Sequence, residues 1–296
     1  MSLAIAIDHL RYRAGRSFEI ADLTLRVPRG AIYGFLGPNG SGKTTTIRLI
    51  LGLLRPIGGQ LRVLDYDVPR DIVQVLARTG YVPEQPHLDA TLTVDEAVRF
   101  HAAFFPTWDQ AWAGRLLTDF ELDRTRTIGR LSKGQKGKLM MLLALAQRPE
   151  LLMLDEPTDG LDPVVRRDML SALLDYVAQH GATVFVSSHL VHELERICDW
   201  VAVMDRGALV SEQPMQRFKD GIKRLRVAGA PAQPAAMPFR LLARVPNGTT
   251  ESWVVSGWSP DMTSYFDSGT VALREVIDLD LEEGFVELLR AARQPV

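Results

Sequence analysis

The run Gly37-Pro38-Asn39-Gly40-Ser41-Gly42-Lys43-Thr44 fits G-x-x-x-x-G-K-[ST], and its flanks constrain the fold more than any other stretch. Before it, Ile32 to Leu36 is a short apolar run of strand length; after it, Lys43 to Leu54 reads as a helix. A strand that turns through glycines directly into a helix lets backbone N–H groups curl around phosphate oxygens, and the helix N-terminus adds a favourable dipole. Lys43 brings a positive charge towards the β- and γ-phosphates, and the Thr44 hydroxyl suits Mg2+. The expectation is a site for ATP or GTP, with Gly37 to Thr45 wrapped around the phosphates.

The rest of the chain divides by texture. Residues 1 to about 217 alternate β-type runs, glycine turns and helical patterns, as a mostly parallel α/β fold would. Leu151 to Leu154 and Thr183 to Ser187 look like strands buried on both faces. After Phe218, the Ala-, Pro- and Gly-rich Ala228 to Pro238 reads as a linker or surface loop. Phe239 to Val245 and Trp253 to Trp258 then read as strands, with Asn247-Gly248 as a hairpin turn between them. Leu281 to Ala292 puts Phe285, Val286, Leu288 and Leu289 near one helical face. Residues 218–296 are therefore expected to form a small C-terminal α+β appendage.

A net charge of −2 on 296 residues leaves no basic footprint, so nucleic acid is not expected as a partner. The single Cys198 rules out an internal disulfide and, in the apolar stretch Leu194 to Val203, reads as a small buried hydrophobe. The longest apolar runs, such as Leu139 to Ala146, fall short of the ~20 residues needed to span a bilayer.

Further runs carry a resemblance. Leu131-Ser132-Lys133-Gly134-Gln135 resembles the LSGGQ signature of ABC ATPases. Leu151 to Pro157 is similar to that family's Walker B strand with its adjoining glutamate, and Asp159-Gly160-Leu161-Asp162 to its D-loop. His189 is similar to the switch histidine, and Gln85 in Tyr81-Val82-Pro83-Glu84-Gln85 to the Q-loop residue. These occur in the family's order across residues 1 to about 215. The implied fold is a P-loop NTPase of ABC-ATPase type, α/β, mostly parallel, with an antiparallel β subdomain and a helical subdomain at about 86–148.

The resemblance implies roles residue by residue. Glu156 would be the general base, with His189 and Gln85 completing the catalytic set. Asp155, Thr44 and Gln85 would serve Mg2+, and carboxylate and hydroxyl oxygens suit that hard cation. Tyr12 is the candidate to stack on adenine, with Phe18 as its rival. Ser132, Lys133, Gly134 and Gln135 would close on ATP held by a second subunit, with Asp162 in the adjoining D-loop. The partners implied are a second copy or a related ATPase, as homodimer or heterodimer, and integral-membrane permease subunits. The implied location is the cytoplasmic face of the inner membrane, peripheral through the permease.

Lys133 departs from the pattern, because the family usually has Gly there. It adds charge near the neighbouring triphosphate and removes backbone freedom. With the Phe104-Phe105-Pro106-Thr107-Trp108-Asp109 stretch, this variant is similar to bacterial exporter ATPases of the drug- or antibiotic-efflux kind. Phe100, Phe104, Phe105, Trp108 and Trp112 read equally well as a groove for a partner's helix or as the helical subdomain's own core. A different class of function, a soluble ABC ATPase acting in translation or DNA repair, is disfavoured. The chain shows one P-loop, no heptads and no Cys cluster. A non-hydrolysing nucleotide sensor is disfavoured by Lys43, Asp155, Glu156 and His189 occurring together.

Overall fold

The structure is a computed structural model that describes residues 2–15, 17–229, 237–267 and 271–293. In chain order the strands are β1 (Leu3–Ala14), β2 (Phe18–Pro28), β3 (Ile32–Leu36), β4 (Gly58–Val63), β5 (Tyr66–Asp67), β6 (Thr79–Val82) and β7 (Leu151–Asp155). They continue with β8 (Thr183–Ser188), β9 (Trp200–Asp205), β10 (Ala208–Pro214), β11 (Lys223–Ala228), β12 (Arg240–Asn247), β13 (Thr250–Ser256) and β14 (Ala272–Asp278). The helices are α1 (Lys43–Ile50), α2 (Ile72–Leu76), α3 (Val94–Ala102), α4 (Gln110–Asp119), α5 (Lys133–Ala146), α6 (Pro163–His180), α7 (Val191–Leu194), α8 (Met215–Gly221) and α9 (Leu281–Arg293).

The central sheet runs β10-β9-β3-β8-β7-β6, parallel except for β10 at its edge. Every residue of β3, β7 and β8 is buried, which is why these strands read as apolar runs without alternation. Their register matters for function. Leu36 lies beside Ser188, and Asp155 beside Ser187, so three strands end at one level and open a crevice at their carboxyl ends.

A second sheet, β2-β1-β4-β5, is antiparallel. It buries Ile5, Ile7, Leu10, Ile20, Leu23 and Leu25 in one cluster with Ile47 and Ile50 of α1. That helix stops at Ile50, short of Leu54. Gly52 takes φ +66°, and the N–H groups of Leu53 and Leu54 both fold back onto the Arg48 carbonyl, a left-handed stop that ends the helical ladder.

Between β6 and β7, helices α3, α4 and α5 pack together around Val98, Trp112, Leu116 and Leu139. The aromatic stretch divides. Trp112 is buried and Trp108 packs against the core, whereas Phe100 and Phe104 are 57% and 65% exposed and meet edge to face at 5.0 Å.

The C-terminal sheet, β12-β13-β11-β14, is antiparallel throughout. Asn247 pairs with Thr250 across the hairpin, so the turn is Gly248-Thr249, one residue beyond the expected Asn-Gly, with Gly248 at φ +61°. One face of this sheet, with Leu225, Val227, Trp253 and Val255, closes its own cluster with Phe239, Trp258 and Phe266. Against Leu242 and Val254, α9 lays Leu281, Phe285, Leu288 and Leu289, in the same cluster as Val191, Leu194 and Val201. Val286, expected on that face, turns partly outward. Of the expected linker from Ala228 to Pro238, residues 230–236 lie outside the described residues. Cys198 is buried against Gly34, and burial pushes its thiol pKa well up. Among the described residues no helix is long and apolar enough to cross a membrane.

Candidate functional site

The loop from Gly37 to Gly42 leaves β3 at the crevice and enters α1 through glycines, two of which are closely hemmed in. A Cβ on Gly37 would sit 2.4 Å from the Met204 carbonyl oxygen. Gly42 has φ +115°, and a Cβ there would lie 2.7 Å from the Phe18 ring. The loop bounds a cavity of about 650 Å³ lined by Asn39, Gly40, Gly42, Lys43, Thr44 and Thr45, together with Ser17, Phe18, Glu84, Glu156, Asp159 and His189. Lys43 is buried, and its ammonium donates to the Gly37 carbonyl at 2.6 Å and the Pro38 carbonyl at 3.3 Å. Ser41 is buried too, and its hydroxyl has no partner.

Opposite the loop, the end of β7 presents two carboxylates. Asp155 is 1% exposed and accepts from Thr44 Oγ1 at 3.2 Å and Ser187 Oγ at 2.7 Å. Burial raises its pKa, helped by the Glu156 charge and opposed by the Ser187 and Thr44 hydrogen bonds and by Lys43. Glu156 adopts φ +48°, a conformation that costs energy for a non-glycine residue and concentrates at functional sites. Its Oε1 lies 3.1 Å from Lys43 Nζ, with both side chains nearly enclosed. That contact is an ion pair by distance but lacks hydrogen-bond alignment, so Oε1 counts as unbonded in hydrogen-bond terms. Oε2 accepts from the His189 backbone N–H at 3.2 Å and meets His189 Nδ1 at 2.9 Å. His189 Nε2 lies 3.8 Å from Asp159. Lys43, Glu156, His189 and Asp159 thus form a line of polar contacts across the cavity.

Other residues lie away from this cluster. Gln85 is exposed and lines an adjoining cavity with Glu84, Lys133, Lys136 and Asp159; at the phosphate loop its neighbour Glu84 is present instead. Tyr12 and Phe18 both pack on the β1–β2 core, but the ring that lines the cavity is Phe18. Ser132 caps α5: its hydroxyl accepts from the Gln135 N–H, while the Gln135 side chain accepts from the Ser132 N–H. Gly134 is buried, with room for a Cβ only at 3.1 Å from Val165. Lys133 leans on its own D-loop, 3.9 Å from Asp159. Asp162 caps α6, accepting from the N–H groups of Val164 and Val165. Ser187 gave no signal in the sequence. It reaches Asp155 because β7 and β8 pair in that register.

The chain can be set beside known proteins. A family model described as ABC transporter matches residues 20–159. The bacitracin transport ATP-binding protein BcrA of Bacillus licheniformis is 34% identical over 221 residues, covering 74% of this chain and 72% of that one. The Nod factor export ATP-binding protein I of Cupriavidus pinatubonensis is 34% identical over 217 residues, 72% of this chain and 66% of its own. Among solved structures, an ATP-binding subunit of an ABC transporter superposes with a TM-score of 0.66 at 28% identity, covering 74% of this chain and 92% of that one. The cbiO1 protein of Clostridium perfringens, at 23% identity and a TM-score of 0.63, covers 73% of this chain and 90% of its own, and shares the fold.

Proposed function

This chain belongs to the ABC transporter family as an ATP-binding, ATP-hydrolysing subunit that works with a membrane permease, and from that premise we propose how its residues divide the work. The reading rests most on one observation: Lys43, Glu156 and His189 converge on a single cavity bounded by the phosphate loop.

The loop amides and Lys43 bind the triphosphate. When its phosphates enter, the Lys43 ammonium exchanges the Glu156 carboxylate for phosphate oxygen, which frees Glu156 to orient and deprotonate the attacking water. His189, already beside Glu156, holds that carboxylate in place and reaches towards the γ-phosphate. Thr44 and Asp155 are hard oxygen donors 3.2 Å apart, a pair that fits Mg2+. Bound there, the ion would supply charge neutralisation of the phosphates. Gln85 senses the loaded site from the adjoining cavity. Phe18 carries the adenine, with Tyr12 supporting it from the same sheet. Ser132 to Gln135 close on the ATP of a second subunit, so two copies, or a copy and a relative, share two sites in an isologous dimer.

Export is the direction supported by the names of the similar proteins, which transport bacitracin and export Nod factor. The exposed Phe100–Phe104 pair is a surface for the permease, and the chain sits peripherally at the cytoplasmic face of the membrane.

Glu156→Gln tests this directly. It should keep ATP affinity, lower kcat by about 10²- to 10⁴-fold, and accumulate an ATP-dependent dimer in sedimentation. Turnover at the wild-type rate would remove Glu156 from the role of base.

A further inference from the structure

We propose that Arg293 is a positioning residue for the phosphate loop, acting from the far end of the C-terminal helix. Its Nε and a terminal nitrogen donate to the two oxygens of Asp205 at 2.8 and 2.9 Å, the planar two-point geometry that fixes direction as well as distance. Asp205 closes β9 and is 6% exposed, so its carboxylate is held where little water competes.

The turn that Asp205 begins is the back wall of the phosphate loop. Two residues on, the Gly207 N–H donates to the Ser41 carbonyl at 2.8 Å. One residue earlier, the Met204 carbonyl occupies the place a Cβ of Gly37 would need, and the Met204 sulfur lies 3.7 Å from the Thr46 hydroxyl. Gly207 itself has φ +79°, and a Cβ there would fall on the Glu19 carbonyl at 1.9 Å. The turn therefore has little slack. A displacement of Asp205 passes to Ser41, in the middle of the loop that bounds the cavity.

The same helix supports the opposite wall. α9 packs on α7, which begins two residues after His189, with Val191 and Leu194 in one apolar cluster with Phe285 and Leu288. One helix thus touches α7, which follows His189, and through Asp205 the turn that backs the loop leading to Lys43. Anion recognition by backbone amides needs donors held to within about 0.5 Å, so a brace here acts on ATP affinity more than on folding. The Arg293 side chain is 41% exposed, and screening by water keeps its contribution to stability small. Linkage makes the effect reciprocal: ATP in the loop steadies α9, and anything that loosens α9 weakens ATP.

This inference rests on the reading of Gly37 to Thr45 as the phosphate site, and its test separates the two. In the full chain, Arg293→Gln should raise both the KM for ATP and the Kd for a fluorescent ATP analogue by about five-fold or more. The kcat should stay within about two-fold. Arg293→Lys should recover part of the loss, and adding Asp205→Asn to Arg293→Gln should cost nothing further. A lower melting temperature with unchanged KM and Kd would reduce the pair to a structural contact and overturn the proposal. Should Lys43→Ala also leave binding intact, the phosphate-site reading fails first. Hydrogen exchange on the unsubstituted protein gives an independent arm. ATP should slow exchange at Asp205 to Gly207 and in α9 together; protection confined to the phosphate loop would overturn the brace.

Discussion

The carboxyl end of β3 and the start of α5 belong to one chain, yet they are finished to different degrees. At the first, Lys43, Glu156 and His189 meet around an open cleft, and Asp155 is held by Thr44 and Ser187. At the second, Ser132 and Gln135 satisfy each other in a capping box, Gly134 is buried against Val165, and Lys133 stands out on the surface. A cleft lined by a buried cation and carboxylates is equipped to hold a nucleotide within one subunit. A capped helix start on the surface has its local hydrogen bonds met and contributes to a site when another molecule approaches. Binding and closure should therefore be separable by substitution.

The largest separation is expected from Lys43→Ala. It removes the cation from the cleft, and ATP affinity should fall on the order of 100-fold by calorimetry. If affinity holds, the two halves are not different in kind. Ser132→Arg attacks the other half: monomer affinity should stay within about two-fold, while the ATP-dependent dimer disappears from sedimentation profiles. A normal dimer would mean that the start of α5 takes no part in closure.

Smaller effects sharpen the boundary of the cleft. Phe18→Ala should weaken ATP about ten-fold, in line with the loss of one base-stacking contact, whereas Tyr12→Ala should cost less than about two-fold. The opposite ranking would return Tyr12 to the adenine. Least of all, Lys133→Gly should change dimer affinity by no more than about five-fold, because its contact with Asp159 is exposed and screened. A larger loss would assign Lys133 a direct contact with the partner's triphosphate.

Much of the fold was legible without coordinates. β3, β7 and β8 announced themselves as largely apolar runs because strands covered on both faces favour apolar side chains. The C-terminal hairpin was visible through its turn residues, although pairing shifted the turn to Gly248-Thr249. The helix after the phosphate loop was read too long, since the left-handed stop at Gly52 is a matter of backbone angle that an otherwise helical pattern hides. Spacing groups Val286 with Phe285, Leu288 and Leu289 near one face of α9 but does not show where the buried part of that face ends.

At the site, Gln85 and Glu84 are neighbours in sequence, and loop geometry chose which one lines the cavity. Tyr12 and Phe18 sit on adjacent strands that present both rings to the same core, so spacing along the chain could not rank them. Ser187 is an ordinary serine until strand pairing sets it beside Asp155.

What the sequence determined alone was the loop from Gly37 to Thr44. Its chemistry is local: glycines at 37, 40 and 42, then Lys43 and Thr44, between a strand and a helix carry their own geometry. What the tertiary structure decided was everything that depends on strands meeting. That includes Asp155 beside Ser187, Lys43 beside Glu156, and Arg293 on Asp205 across 88 residues of chain. Such pairs arise from register and packing, and a one-dimensional spacing carries no record of either.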